Sequence, residues 1–238
     1  MQENLTAMKG FDSKMYQQVL YCFAHPDDET FTCGGTIARF HVNGVRQTLY
    51  CATRGEAGKT GQPPLCAQEE LGDIRAQELA RACDVLGIDE CILRDYGDGQ
   101  LSQLPFQQLV DDLFKIMESI RPDLIITFPP SGISGHLDHQ IIQQAALEAV
   151  KKTTFPTKLY YIVIPESIAH LHSGKIHATP DEYVSMKIDV TPFRANIAQA
   201  LREHQTQHLS IDRVFPGVRD GDISRLRSHE YYQLVIQK

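Results

Sequence analysis

Short apolar runs alternate with amphipathic segments along most of the chain. Runs such as "QVLYCFA" (18–24) and "DLIITF" (123–128) are almost wholly apolar, which is typical of strands buried on both faces. Segments such as 68–87 and 137–152 instead repeat apolar residues at helical spacing. This interleaving predicts a Rossmann-like α/β fold, with a mainly parallel sheet and helices on both of its faces.

The pattern also gives bounds for each element. Strands are predicted over residues 18–24, 46–53, 90–95, 123–128, 158–165, 183–191 and 231–237. Helices are predicted over residues 36–44, 68–87, 105–120, 137–152 and 192–208. The rhythm changes after Pro165, where the alternating segment 183–191 is typical of an exposed edge strand. We therefore expect one α/β domain over 1–238, with a core of about 18–165 and a C-terminal extension of about 166–238 that adds a few strands and a helix.

Composition and charge narrow the classes of partner. The 238 residues carry a formal net charge of −7, which argues against a nucleic-acid partner because phosphate binding needs a basic face. No apolar run approaches the ~18 residues of a membrane-spanning helix, so no membrane partner is expected. The segment 1–17 lacks the apolar centre of a signal peptide, and the six cysteines form no CxxC pair and are typical of reduced thiols. The cytoplasm is the expected compartment.

A dense polar cluster follows the first predicted strand. The stretch "HPDDE" places His25 and Asp28 three residues apart in a loop that leads into a helix, a spacing that can turn both side chains to one side. An imidazole and a carboxylate are two of the three protein ligands that a catalytic Zn²⁺ typically takes. Asp27 then stays free to act as a base. The alternative is a solvated acidic cap, in which Asp27 or Asp28 binds the first amides of the helix.

A second cluster follows the fourth predicted strand. The stretch "GHLDH" (135–139) places His136 and His139 three residues apart at the start of a predicted helix. Either histidine could supply the missing ligand, and the spacing does not decide which one binds metal and which one lies outside the coordination shell. The alternative, two surface histidines near a helix N-terminus, is weakened by the first cluster.

The loops after the second and third predicted strands add further polar side chains. Arg54 and Glu56 follow strand 46–53, and Asp98 follows strand 90–95. Because ligands of open α/β sheets bind outside the carboxyl ends of the strands, these loops are expected to form one site with the two histidine clusters. Arg54 would either clamp a substrate hydroxyl or carboxylate, or pair with Glu56 or another neighbouring carboxylate.

Taken in order, these motifs resemble those of the PIG-L/LmbE-like de-N-acetylases. The resemblance rests on "AHPDDE", "TRGEAG", "IRAQELARACDVLGI", "DYGDGQL" and "GHLDH", spans about residues 18–150, and continues weakly through "LREHQTQ" (201–207) and "HEYYQL" (229–234). Enzymes of this family use zinc to remove acetyl groups from N-acetylglucosamine-type sugars. The resemblance therefore implies one Zn²⁺ per chain and a small acetylated amino sugar as substrate. It also raises a homo-oligomer as a hypothesis.

The resemblance implies a role for each site residue. Metal binding is implied for His25, Asp28 and His139. Catalysis is implied for Asp27, as the general base, and for His136, which would polarise the developing oxyanion or protonate the amine. Substrate binding is implied for Arg54, Asp98 and Glu56.

Two departures from the family pattern leave the substrate open. Leu137 stands where the family often has proline, and "PPSGISG" before it differs from common family loops. Bacillithiol- and mycothiol-type sugars, free or oligomeric N-acetylglucosamine and other acylated amines all remain candidates. Two other functions are also compatible with the sequence: a non-catalytic, metal-containing sugar-binding protein, and a metallohydrolase that acts on another amide or ester.

Overall fold

The computed structural model describes residues 15–172 and 174–238, and within them the chain forms a seven-stranded sheet. The strands are β1 (Gln18–Phe23), β2 (Arg46–Cys51), β3 (Glu90–Leu93), β4 (Leu124–Thr127), β5 (Lys158–Val163), β6 (Met186–Asp189) and β7 (His229–Gln237). Their spatial order is β3-β2-β1-β4-β5-β7-β6. Every predicted strand is present, within a few residues of its predicted bounds.

The pairing of the strands confirms the mainly parallel sheet. β1 pairs in parallel with both β2 and β4, and parallel pairing continues outward to β3 on one side and to β5 on the other. β7 pairs antiparallel with β5 and with β6, and β6 forms the edge of the sheet as predicted. The residues of β1 from Val19 to Phe23 are 0% exposed, as expected for a strand with helices on both sides.

The helices fall into two groups. They are α1 (Asp28–Val42), α2 (Leu71–Leu86), α3 (Phe106–Ile120), α4 (Leu137–Lys152), α5 (Arg194–Glu203) and α6 (His208–Val214). α1, α2 and α5 pack against one another, and α3 packs against α4. The chain moves one way along the sheet through α1 and α2 and the other way through α3 and α4. Right-handed crossovers therefore place the two groups on opposite faces.

Helix α1 begins at Asp28, eight residues before the predicted start at Thr36. Its first turns, "DETFT", have no apolar periodicity, so the pattern indicated only the second part of the helix. The two parts meet at a kink at Cys33, where φ is −134° and ψ is 22°. The buried Glu230 carboxylate accepts hydrogen bonds from the amides of Gly35 (3.0 Å) and Thr36 (2.8 Å), so it caps the second part from strand β7.

The predicted helix 192–208 is divided into two. α5 ends at Glu203, His204 has non-helical dihedrals (φ −79°, ψ 60°), and α6 begins only at His208. A contact with α2 accounts for the break, because the Thr206 amide donates to the buried Glu78 carboxylate at 2.8 Å. In an unbroken helix that amide would donate to a backbone carbonyl one turn earlier.

Gly35 provides the first prediction, on stability. A Cβ at this position would lie within 3.0 Å of the side-chain carbons of Val190, the residue that follows β6. We expect Gly35→Ala to lower the free energy of unfolding by about 1–3 kcal/mol, the usual effect of overpacking a core. Urea unfolding followed by circular dichroism measures it.

The neighbouring glycine is a matched control for that substitution. A Cβ on Gly34 would meet Ile197 and Leu86 at an ordinary 3.7 Å, so Gly34→Ala should leave stability unchanged or raise it slightly. Equal unfolding midpoints for the two variants would contradict the predicted overlap with Val190.

Some sequence expectations concern targeting and cysteine state. The segment used to argue against a signal peptide lies largely in residues 1–14, which are outside the described residues. Across the described part of the chain, no helix has both the length and the apolarity to cross a bilayer. All six cysteines are free thiols; Cys91 is exposed, Cys66 is half-buried, and the others are buried.

Candidate active site

The strand order brings the predicted site residues to one place. From β1 the chain moves outward to β2 and β3, and it then returns to β4 on the other side of β1. Ligands of open α/β sheets bind in the crevice at such a switch point. His25 and Asp28 follow β1, and His139 lies in the first turn of α4, which follows β4. Because β1 and β4 are hydrogen-bonded neighbours, the two histidine clusters meet at their carboxyl ends.

Three side chains direct donor atoms towards one another. His139 Nε2 lies 3.2 Å from His25 Nδ1 and 3.2 Å from Asp28 Oδ1, and His25 Nδ1 lies 3.6 Å from Asp28 Oδ2. Ligand atoms bound tetrahedrally to Zn²⁺ at about 2.0–2.2 Å lie about 3.3–3.6 Å apart. This donor set therefore fits a metal ion of that kind. Three protein donors leave a fourth position for water or substrate.

The second nitrogen of each of these histidines has an acceptor. His25 Nε2 lies 3.0 Å from Asp98 Oδ1 and 3.2 Å from Asp138 Oδ2, and His139 Nδ1 lies 3.0 Å from the carbonyl oxygen of Gly132. These acceptors favour the tautomers with hydrogen on His25 Nε2 and His139 Nδ1, which direct the lone pairs of the other two nitrogens to the shared point. His25, Asp98 and Asp138 also have the spacing of a three-donor metal group. With hydrogen on His25 Nε2, Asp98 and Asp138 would instead support His25 by accepting hydrogen bonds from it.

Asp138 is held firmly in that supporting position. Its side chain is 0% exposed, and its two oxygens accept hydrogen bonds from the amides of Gly99 (2.7 Å) and Leu101 (3.2 Å). These amides belong to the loop after β3, so one carboxylate joins α4 and that loop to His25. Asp138 was not singled out in the sequence, although it lies between two candidate histidines.

The contact between Asp138 and His25 should contribute to metal affinity. Asp138→Asn keeps the shape of the side chain but removes the negative charge that orients His25 and raises its basicity. We expect metal affinity to fall about 10–100-fold, the usual effect of losing such a partner. Competition with a chromophoric chelator measures it. Asp95→Asn, at an exposed carboxylate after β3, is the control. An unchanged metal affinity in Asp138→Asn would show that the contact does not support a ligand.

Asp27 does not serve as a helix cap. It is the residue before α1, yet its side chain makes no capping hydrogen bond, and its backbone has a left-handed φ of 117°. One carboxylate oxygen accepts a hydrogen bond from the Arg75 guanidinium at 3.1 Å, and the same guanidinium donates to the carbonyls of Pro26 and Gly55. Burial raises the pKa of Asp27 to about 6, although the charge of Arg75 acts in the opposite direction. Such a carboxylate suits proton transfer near neutral pH.

His136 faces the same point from the side of α4. Its ring centroid lies 4.7 Å from that of His25 and 5.0 Å from that of His139. Its Nδ1 accepts a hydrogen bond from the Asp138 amide at 3.2 Å, so the neutral ring carries its hydrogen on Nε2. Desolvation lowers the pKa of His136, and charge on the two neighbouring histidines acts in the same direction.

This geometry separates two histidines that the sequence left equivalent. His25, His136 and His139 have the spacing of a three-donor group. The neutral His136 ring, however, has no lone pair free for a metal, since Nδ1 is engaged and Nε2 carries hydrogen. The arrangement favours His139 with Asp28 as ligands and His136 as a hydrogen-bond donor.

The three residues with an expected substrate role occupy different settings. Arg54 is partly exposed and forms an ion pair with Asp73 in the first turn of α2, which is the kind of pairing the sequence left open. Glu56 accepts a hydrogen bond from the Asp98 amide at 2.7 Å, and Asp98 accepts one from the Ala57 amide at 3.2 Å. Asp98 and Glu56 thus join the loops after β2 and β3, and Asp98 also contacts His25. Substrate binding by them stays a prediction.

Sequence reasoning missed a further set of buried charges near Asp27. Arg75 and Glu78 lie on α2, Glu29 on α1, and His204 at the end of α5; each is at most 4% exposed. A signal was present for two of them: Arg75 and Glu78 lie on the same helical stripe as Leu71, Leu79 and Ala82, where a charge is unusual. Glu29 and His204 lie within the quoted motifs "AHPDDE" and "LREHQTQ", but no role was predicted for either residue.

Comparison with known proteins finds a matching family and several relatives. Residues 20–150 match the PIG-L family, described as GlcNAc-PI de-N-acetylase. The chain is 31% identical to a 1D-myo-inositol 2-acetamido-2-deoxy-α-D-glucopyranoside deacetylase of Acidothermus cellulolyticus, and the alignment covers 93% of this chain and 89% of that one. It is 32% identical to a probable N-acetyl-α-D-glucosaminyl L-malate deacetylase 2 of Bacillus anthracis, covering 81% and 88%.

A solved structure shares the fold. The N,N'-diacetylchitobiose deacetylase of Pyrococcus horikoshii superimposes with a TM-score of 0.71 at 22% identity, over 93% of this chain and 85% of that one. Identity at this level supports a common architecture and carries no further conclusion about substrate.

Proposed function

The chain belongs to the PIG-L family of GlcNAc-PI de-N-acetylases, and we propose that it hydrolyses the acetamide of an N-acetylglucosamine-type amino sugar with the help of one bound zinc ion. The observation that carries the proposal is the convergence of His25, Asp28 and His139. The two histidine nitrogens lie 3.2 Å apart and each lies within 3.6 Å of an Asp28 oxygen, with Asp27 and His136 beside them. The products would be acetate and the free amino sugar.

The three ligand residues supply two neutral nitrogens and one carboxylate, a donor set that zinc commonly takes in hydrolases. When bound there, the metal would supply positive charge that acidifies a water molecule and polarises an acyl oxygen. Asp98 and Asp138 would keep His25 in the tautomer that binds metal. The Asp98 carboxylate lies 3.0 Å from His25, so we propose this supporting role for it in addition to the substrate contact that the resemblance implied.

Asp27 would accept the proton of the attacking water. Its carboxylate is not used for helix capping and is held by Arg75 through one oxygen, which leaves the other oxygen available. As the C–N bond of the amide breaks, the same proton would pass to the departing nitrogen, so that one water is consumed and no other reactant is needed. A pKa of about 6 suits a group that both takes and returns a proton.

His136 would stabilise the oxyanion that forms on the acetyl oxygen. A lowered pKa keeps its ring neutral, and the Asp138 amide fixes the hydrogen on Nε2, so the ring can donate a hydrogen bond without first losing or gaining a proton. A single preorganised donor of this kind contributes about 3 kcal/mol to transition-state stabilisation. Arg54, which follows the neighbouring strand β2, would contact the sugar.

Acetate release tests the proposal. Purified protein would be assayed for metal content and then incubated with acetylated glycosides that carry inositol, L-malate or a second N-acetylglucosamine, since the relatives' names point to these. We expect equal amounts of acetate and free amine from at least one glycoside, and none after chelation. Metal-loaded protein that binds glycosides without releasing acetate would favour the sugar-binding alternative. Hydrolysis of phosphoesters alone would favour a different metallohydrolase.

A further inference from the structure

A buried hydrogen bond between a histidine and a glutamate lies directly behind the candidate base. His204 Nε2 lies 2.9 Å from Glu29 Oε1, and both side chains are at most 1% exposed. The Thr30 hydroxyl donates to the same Glu29 oxygen at 2.6 Å. Such a pair is weak evidence for a stabilising role, because the cost of desolvating buried polar groups offsets much of their attraction. Its location therefore calls for another explanation.

The second Glu29 oxygen connects this pair to Asp27. Glu29 Oε2 accepts a hydrogen bond from the Asp27 backbone amide at 3.1 Å. Asp27 is the residue with φ of 117°, a value that is uncommon for any residue other than glycine. A left-handed conformation at a functional position persists only when surrounding contacts hold it. Glu29 supplies one of these contacts, on the backbone side of the residue.

Arg75 supplies the other contact, on the side-chain side. Its guanidinium binds the Asp27 carboxylate and the carbonyl of Pro26, so the peptide before Asp27 is also held. The same helix, α2, carries Glu78, which accepts hydrogen bonds from the amide (2.8 Å) and hydroxyl (2.7 Å) of Thr206. Glu78 thereby fixes the segment after α5 that begins with His204.

We propose that Glu29 and His204 are positioning residues, which hold the Asp27 backbone in its left-handed conformation so that the carboxylate meets the attacking water. The proposal rests on the proposed function, since it assigns a role in the same reaction. His204 donates through Nε2 to a carboxylate that can only accept, and this leaves Glu29 oriented with its other oxygen towards the Asp27 amide. The C-terminal extension thus contributes to catalysis without reaching the reacting atoms.

Two substitutions of His204 distinguish this role from simple packing. The amide nitrogen of glutamine can reach the place of Nε2, whereas that of asparagine falls short of it. We expect His204→Asn to lower kcat about 100-fold, as a misplacement of about 1 Å does, with KM and metal content unchanged. His204→Gln should restore most of kcat. Turnover of the fastest acetylated glycoside and metal analysis measure these effects.

Glu29→Gln gives a second approach if the His204 variants do not fold. Three donors, from Asp27, Thr30 and His204, converge on the two Glu29 oxygens. Glutamine replaces one acceptor by a donor, so at least one of the three contacts is lost and kcat should fall without loss of metal. Wild-type kcat in both Glu29→Gln and His204→Asn would overturn the proposal. So would a loss of metal in parallel with kcat.

The control lies one residue before His204. Glu203 forms an ion pair with Arg81 of α2 at 2.9 Å on the surface, between the same two helices. Glu203→Gln removes a charge contact of these helices and should leave kcat unchanged. A 100-fold loss in this variant would mean that loosening α5 from α2 is sufficient, and it would contradict a specific role for His204.

One readout does not depend on turnover. Crystal structures of the wild type and of His204→Asn should differ at Asp27, whose φ of 117° should move away from this value in the variant. An unchanged Asp27 in the variant would overturn the positioning role whatever the substrate. If the backbone moves as expected but the wild type releases no acetate, the proposed function fails and the structural coupling stands.

Discussion

Replacing Asp27 by asparagine should abolish nearly all turnover while leaving the metal in place. Asparagine has the same shape, tolerates a left-handed backbone and still accepts a hydrogen bond from Arg75, but it does not take up a proton. Loss of a general base typically reduces the rate about 10²–10⁴-fold. We therefore expect kcat to fall by that factor at unchanged metal stoichiometry. Acetate release and metal analysis on the same preparation measure both.

Asp27→Ala should lose turnover as well, but with a further effect on stability. Alanine leaves the Arg75 guanidinium, 4% exposed, without its carboxylate, and an unpaired buried charge is destabilising by about 3–5 kcal/mol. Asp84→Asn, at an exposed carboxylate of α2, is the control for a general change of charge. Wild-type turnover in Asp27→Asn would show that another group accepts the proton.

The edge of the sheet that holds the site could be predicted from the sequence because it depends only on where parallel strands end. A buried strand followed by "HPDDE" and another followed by "GHLDH" must end at the same edge of a parallel sheet. The two clusters touch because β1 and β4 are neighbours, with Cys22 opposite Thr127. No side-chain detail is needed for that conclusion.

The separation of His136 from His139 could not be predicted in this way. Both histidines follow β4 and lie near the start of α4, so their spacing makes them equivalent. What distinguishes them is which nitrogen is engaged: Nδ1 of His136 accepts from the Asp138 amide, whereas Nδ1 of His139 lies 3.0 Å from the Gly132 carbonyl. In a neutral ring, an acceptor beside Nδ1 places the hydrogen on Nδ1 and leaves a lone pair on Nε2, as in His139. A donor to Nδ1 places the hydrogen on Nε2, as in His136.

The elements whose bounds differed from prediction are those that build the site. The first part of α1 is polar because it carries Asp28 and Glu29, so hydrophobic periodicity could not reveal it. The break after α5 is made by the Glu78 contact with Thr206, which joins residues 128 positions apart in the chain. Local propensity is overridden at both places by buried charges, as is common near functional sites.

Among the predicted ligands, His25 is the one whose substitution should most reduce metal binding and turnover. Its two nitrogens face Asp28 and His139 on one side and Asp98 and Asp138 on the other. In the proposed site it would be both a metal donor and the group that separates three carboxylates. Removing the imidazole takes away one of three ligands and leaves the carboxylates facing each other.

His25→Ala should therefore release the metal and abolish turnover. Loss of a supporting partner already lowers metal affinity about 10–100-fold, and loss of a ligand should exceed that. We expect no metal after gel filtration and no detectable acetate release, whereas Asp27→Asn should keep its metal. His170→Ala, at an exposed histidine outside the site, is the control for the loss of an imidazole. Retention of stoichiometric metal by His25→Ala would exclude the ligand set of His25, Asp28 and His139, and with it the chemistry derived from that geometry.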